Sequence, residues 1–355
     1  MCDSQSKSSN ASLEGILVGC GNPLLDISAP VPMEFLQRYG MKEDDAILAE
    51  DRHMPIYHEL VDGYQAEYLA GGSVQNSFRI AQWILGQPNV AVFFGCVGKD
   101  RYADILRQKA REAGVNAHYQ ISEETPTGTC AVLITGTHRS LCANLAAANR
   151  FTIDHLEQPV NKSLIENALY YYISGFFLTV NPPSIMRVAA TAHAKQRPFL
   201  MNLSAPFISQ LFMQPLLDVM PYVDIIFGNE AEAKAFATAQ GWAADEDLRE
   251  IGRRLVALDK LNSARPRIAI LTQGCDPVLL IQHDAPVQEF PVTRLAVHEI
   301  VDTNGAGDAF VGGFLSQFVQ GKSLDVCIRC GNYAAGHIIK NPGCTYSGDP
   351  HFVDQ

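Results

Sequence analysis

The sequence predicts a doubly wound α/β fold: a mostly parallel sheet flanked by helices, with a small β-sheet lid over one edge. Three observations carry this. Short β-rich apolar runs alternate with longer amphipathic segments, the runs close on Gly, Asn or Thr, and two stretches break the alternation with short strands and turns.

Strands read at residues 16–18, 90–94, 169–173, 199–202, 225–228 and 268–272. Between them, helices read at 73–85, 102–113, 183–195 and 248–258, where apolar residues recur three and four apart. The irregular stretches are 24–69 and 128–147; within the second, 129–135 and 140–143 form a hairpin joined through Gly136-Thr137-His138. Because the two stretches are distant in sequence yet alike in character, they are expected to pair into one sheet. On this reading 1–14 is a flexible N-terminal tail, 15–23, 70–123 and 150–355 make the large domain, and 24–69 with 124–149 make the lid. Residues 294–301 read as a further strand leading into a helix marked by Ala309, Phe310, Val311, Phe314, Leu315, Phe318 and Val319.

Composition narrows the function. With 47% apolar and 18% charged residues the chain is globular, and a formal charge of −11 repels nucleic acid and acidic membrane surfaces, so neither is an expected partner. No apolar run approaches the ~20 residues that span a bilayer. Residues 1–12 are polar, unlike a signal peptide, and nine scattered cysteines fit a reducing cytoplasm. Cys327-Ile328-Arg329-Cys330 lacks a second ligand pair and reads as two helix cysteines. A monomer is expected.

The chemistry concentrates in Asp302-Thr303-Asn304-Gly305-Ala306-Gly307-Asp308, a strand-to-helix turn. The amides of Gly305, Ala306 and Gly307 start a helix, where N–H groups lack partners and the dipole favours an anion. Asp308, in the first helical turn, is expected to stay ionised and accept a proton from an alcohol beside a bound phosphate. A base next to an anion hole is the minimum for phosphoryl transfer. Two rival phosphate motifs fail. Gly321-Lys322-Ser323 has Ser316 where a P-loop needs glycine, and Gly19-Cys20-Gly21-Asn22-Pro23-Leu24 ends in leucine with a proline at the helix start. The latter still places Asn22 and Asp26 at the carboxyl end of the first strand, where doubly wound sheets bind ligands. Gly71-Gly72-Ser73 opens another helix, with Ser73 a candidate N-cap and Asn76 one turn on. The two oxygens of Asp26 suit a cis-diol.

Gly71-Gly72-Ser73 followed by the 302–308 run resembles the paired signatures of the ribokinase-like carbohydrate and nucleoside kinases. Asn229-Glu230-Ala231-Glu232 is similar to that family's Asn-x-x-Glu motif, and Thr272-Gln273-Gly274 to its ATP-approaching turn. The matches at 21–27, 139–141, 144–149, 175–179 and 202–207 resemble the branch that phosphorylates adenosine. The resemblance implies ATP and adenosine as substrates, Asp308 as catalytic base, and Mg2+ held through water by Glu232; a monovalent cation is left open. It implies that Asn22, Asp26, Gly72, Ser73 and Asn76 hold the ribose and that Leu24, Leu48, Cys130, Leu141, Ala143, Phe177 and Phe207 enclose the purine. Arg139, Asn229, Thr272, Gly274 and Asn304 fall to ATP. Val74 and Cys142 depart from the family pattern, and Cys130 and Cys142 are expected to tune base selectivity. A ribose-type sugar kinase and an inactive nucleoside-binding protein are the alternatives.

Overall fold

The computed structural model describes residues 13–136, 138–242 and 247–354. Residues 1–12 of the expected tail and Thr137 of the hairpin turn lie outside them. Among the described residues the main sheet has nine strands, ordered Gln288–Phe290, Asp276–Gln282, Ile268–Gln273, Ile225–Asn229, Phe199–Asn202, Tyr170–Ser174, Leu17–Cys20, Ala91–Gly98 and Asn116–Ser122. Neighbours are parallel except on the two sides of Asp276–Gln282, which runs antiparallel to both its neighbours.

Leu17 pairs with Ala91 on one side and Tyr170 on the other. The chain therefore builds one flank from the first strand and then returns to build the opposite one. This reversal opens a crevice at the carboxyl end of Leu17–Cys20, the usual ligand position in such sheets. Helices cover both faces, which is why the inner strands are mostly apolar and do not alternate, whereas the edge strands Asn116–Ser122 and Gln288–Phe290 carry polar, partly exposed residues. The helices Pro182–Ala194, Glu230–Ala239 and Leu248–Ala257 pack on one face. Ser73–Leu85, Ala306–Phe318 and Leu324–Ile338 pack on the other.

The second sheet has the order Ala46–Leu48, His138–Asn144, Thr129–Thr135, Leu24–Pro30, Glu67–Gly71, so strands from both irregular stretches pair. Its two faces do alternate. Ile27, Ala131, Leu133 and Cys142 point to one core, which is closed by Phe35, Leu36, Ile56, Tyr57 and Leu60. Those last residues belong to the helices Met33–Arg38 and Pro55–Gly63, which the sequence reading had replaced with strands and turns. Leu24, Cys130, Val132, Leu141 and Ala143 point the other way, toward the main domain.

The strand expected at 294–301 does not form: the segment is irregular, with a short turn of helix at Val297–Glu299. Val297 is 77% and Val301 47% exposed, so the apolar pattern that suggested a strand serves no packed face. Among the described residues no helix is long and apolar enough to cross a membrane.

Candidate active site

A pocket partly open to solvent lies between the two sheets, at the crevice, where doubly wound sheets bind small molecules. It is lined by Asn22, Asp26, Gly72, Ser73, Asn76, Asn304 and Asp308 at its polar end. Leu24, Leu48, Cys130, Leu141, Ala143 and Phe207 line the apolar end. Glycine is required where the floor closes: a Cβ at Gly71 would lie 2.2 Å from Asp26 Oδ1, and Gly72 has φ +96° with its Cβ position 2.3 Å from the Asn22 carbonyl. Asn22 donates from Nδ2 to the Phe176 carbonyl at 3.3 Å, while its Oδ1 is buried without a protein donor. A buried amide oxygen left in this state costs free energy unless a ligand hydroxyl supplies the proton.

Ser73 is not the N-cap; Gly72 holds that position without a side-chain bond. The Ser73 hydroxyl instead donates to Asp308 Oδ1 at 2.6 Å, and Asn76 Nδ2 donates to Oδ2 at 3.0 Å. One helix start thus holds the carboxylate that begins another. Burial pushes Asp308 up to about 6 against the pull of these two donors. The helix-start argument for a fully ionised group is therefore corrected: desolvation outweighs the dipole here. Burial, with Asp308 close by, pushes Asp26 to about 8, opposed by the Arg79 guanidinium.

The 302–308 turn is a partition. Asn304 and Asp308 face the first cavity, whereas Thr303, Ala306 and Gly307 line a second one with Thr272, Gly274, Cys275 and Phe310. Asn304, expected on the nucleotide side, therefore lies on the other. Gly305 has φ +78° and its Cβ position is 2.7 Å from Cys344, so geometry demands glycine there; a Cβ at Gly307 would enter open space. The Ala306 amide reaches the Thr303 carbonyl at 3.3 Å and is the engaged member of the expected trio.

Asn229 and Glu232 line neither cavity and form a reciprocal helix cap. Asn229 gives its backbone N–H to Glu232 at 2.9 Å and its Nδ2 at 2.7 Å, and accepts the Glu232 N–H at 2.9 Å. Burial pushes Glu232 up to about 7. Arg139 is half-buried, with its side chain set against Asp302.

Phe177 is corrected. It is fully buried in the main core against Phe151, and its neighbour Phe176 lines the cavity with Phe207, the two rings 6.1 Å apart. Cys142 also leaves the cavity and faces the lid's outer core, and Val74, the other departure, packs beneath Gly19 and Gly21. Ala46, Ile47, Leu145, Ser174 and Thr179 line the cavity and were missed, although Leu145 and Thr179 lie inside runs already singled out by their resemblance.

A family model described as pfkB family carbohydrate kinase matches residues 33–351. Adenosine kinase 2 of Arabidopsis thaliana is 48% identical over 344 residues, covering 97% of this chain and 99% of its own length. The adenosine kinase of Saccharomyces cerevisiae is 41% identical over 338 residues, covering 94% and 97%. The structure of Anopheles gambiae adenosine kinase in complex with P1,P4-di(adenosine-5) tetraphosphate matches with a TM-score of 0.94 at 57% identity, covering 96% of this chain and 99% of that one. With the two signatures and the nine-stranded sheet already in place, the chain belongs to the pfkB family of carbohydrate kinases, in its adenosine kinase branch.

Proposed function

We propose that the chain transfers the γ-phosphoryl group of ATP to the 5′-hydroxyl of adenosine, giving AMP and ADP. The carrying observation is the partition: one turn presents Asp308 to the first cavity and its Ala306 and Gly307 to the second. An acceptor alcohol and a nucleotide phosphate bound on its two sides would meet at the turn. Similarity to enzymes named adenosine kinases supports the acceptor.

In this reading Asn22 Oδ1 and the Asp26 carboxyl group bind the ribose hydroxyls. The base lies between Phe176 and Phe207 on one side and Leu24, Leu48, Cys130, Leu141 and Ala143 on the other, an apolar slot suited to a flat ring. Asp308 takes the 5′-hydroxyl proton as that oxygen bonds to the γ-phosphorus and the bond to the ADP oxygen breaks. The turn amides and Arg139 stabilise the transferring group's charge. Thr272 and Gly274 border the nucleotide.

Mg2+ bound with ATP would neutralise phosphate charge, and Glu232 would hold it through water. Both Glu232 oxygens already accept from Asn229, which suits an outer position better than direct ligation. The reading is of a monomer in the cytoplasm acting on small molecules; the free state of the eight described cysteines supports a reducing compartment.

Purified protein with MgATP should form AMP from adenosine and leave free ribose unphosphorylated. Sugar phosphate without AMP would support the ribose-type alternative and overturn this one. Within the slot, Phe176→Ala should raise the KM for adenosine about tenfold through lost stacking and burial. Phe177→Ala should instead lower stability by about 3–5 kcal/mol, the cost of a core cavity. Steady-state kinetics beside thermal melts of both variants separate the two roles.

A further inference from the structure

Asp302 was not among the residues that the motif resemblance assigned a task, yet it sits at a junction. Arg139 lies on the lid strand His138–Asn144, and its Nε is 2.9 Å from Asp302 Oδ1, close but not aligned as a hydrogen bond. Its Nη2 donates to the Val301 carbonyl at 2.6 Å, and Nη1 donates to the His138 carbonyl at 2.9 Å and the Gly136 carbonyl at 3.3 Å. The side chains of Arg139 and Asp302 are 8% and 2% exposed. Asp302 also accepts the Asn304 N–H at 2.8 Å and the Gly343 N–H at 2.7 Å. One carboxylate therefore joins the lid, the partition turn and the C-terminal segment.

The strand period adds direction. Arg139, Leu141 and Ala143 are two residues apart and share one strand face, and the last two wall the nucleoside cavity. The lid face that covers the nucleoside thus carries, at its near end, the guanidinium that touches the partition turn.

We infer that Asp302 is a positioning residue, holding Arg139 at the partition turn so that its guanidinium meets the nucleotide phosphates when the lid covers the nucleoside. This rests on the proposed function. A buried carboxylate without its partner is unfavourable, so Asp302 favours the docked position of Arg139 over a solvated one. Arg139 is then ordered before the nucleotide arrives, which removes an entropic cost from binding.

The test is a cycle of Arg139→Met, Asp302→Asn and the double variant, assayed with adenosine and MgATP. Each single change should raise the KM for ATP about 10–100-fold, as for loss of a charged hydrogen bond. The KM for adenosine should move by less than about threefold. The double variant should be within about twofold of the worse single one, because both remove the same interaction. Arg139→Lys should recover part of the loss beside Asp302 and none beside Asp302→Asn. Multiplying losses, or equal behaviour of Lys in both backgrounds, would reduce Asp302 to a staple of the turn and overturn the inference. If Asp302→Asn does not fold, Asp302→Glu, which displaces the charge by one methylene, replaces it under the same criteria. Formation of AMP by the unaltered chain keeps failure of this inference distinct from failure of the proposed function.

Discussion

Asp308→Asn should lower kcat by about 10²–10⁴ while leaving the protein folded, the range expected for a positioned general base. The substitution keeps the shape and removes the charge. Ser73 can still donate to the new amide oxygen, but the amide nitrogen then faces Asn76 Nδ2, donor against donor, where Asn76 now donates to Asp308 Oδ2 at 3.0 Å. The pH dependence gives a second reading. Burial holds Asp308 of the free enzyme up at about 6, so the basic form is lost as pH falls through that value and kcat/KM should drop tenfold per unit below it. The limb belongs in kcat/KM, which follows that form; Asp26, raised to about 8, titrates in the same profile, and the Asn variant separates the two. The variant's residual rate should lack this limb.

Stability moves the opposite way. A carboxyl whose folded value lies above its unfolded one contributes stability below the unfolded value and loses it as pH rises through about 6. At neutral pH the ionised Asp308 carries a burial cost that asparagine relieves, while the donor-against-donor contact with Asn76 opposes the gain, so the Asn variant should melt close to the parent. Rates from about pH 5 to 9 and melts at neutral pH check both claims. A variant within tenfold of parental kcat would remove Asp308 from the base role.

The partition turn was legible because its geometry is local. Seven consecutive residues fix a glycine φ, a helix start and a carboxylate in the first turn, and their order survives whatever packs around them. The Phe176–Phe177 choice was not legible. Both sit in the single helical turn Gly175–Thr179 that follows a strand, where no period continues to assign faces. Which ring enters the core is decided by Phe151, 26 residues earlier in the chain, which offers its edge to Phe177. The segment 294–301 failed for a related reason: alternation marks a strand only where a neighbour supplies hydrogen bonds, and the sequence does not say where the sheet ends. The lid helices were missed because each is short, six and nine residues, too brief for a 3.6 period to stand out from strand-like noise.

Arg267 is the extreme of this limit, and its loss should cost the most stability. Arginine is mostly exposed in folded proteins, yet Arg267, beside the strand Ile268–Gln273, is 1% exposed. Its Nε donates to the Val223 carbonyl at 3.2 Å, Nη1 to those of Leu255 and Leu258 at 3.0 and 2.7 Å, and Nη2 to those of Met220 and Asp259 at 2.7 Å each. Burial lowers the guanidinium to about 10, which leaves it charged at neutral pH. It satisfies the carbonyls that end the helix Leu248–Ala257, where a cation also complements the dipole. Arg267→Met fills much of the space but removes a donor from five carbonyls, of which that of Met220 keeps the Val223 N–H at 3.0 Å, and should destabilise by about 3–5 kcal/mol, a fall of roughly 5–10 °C in Tm. Arg267→Lys, with three donors on one nitrogen, cannot span the fork and should fall between the two. Arg267 sits at the amino end of a strand whose far end carries Thr272 at the second cavity, so activity per folded molecule should be unchanged. Melting curves with kcat/KM on the folded fraction decide it: an unaltered Tm would mean that the methionine side chain or entering water replaces the fork at no cost.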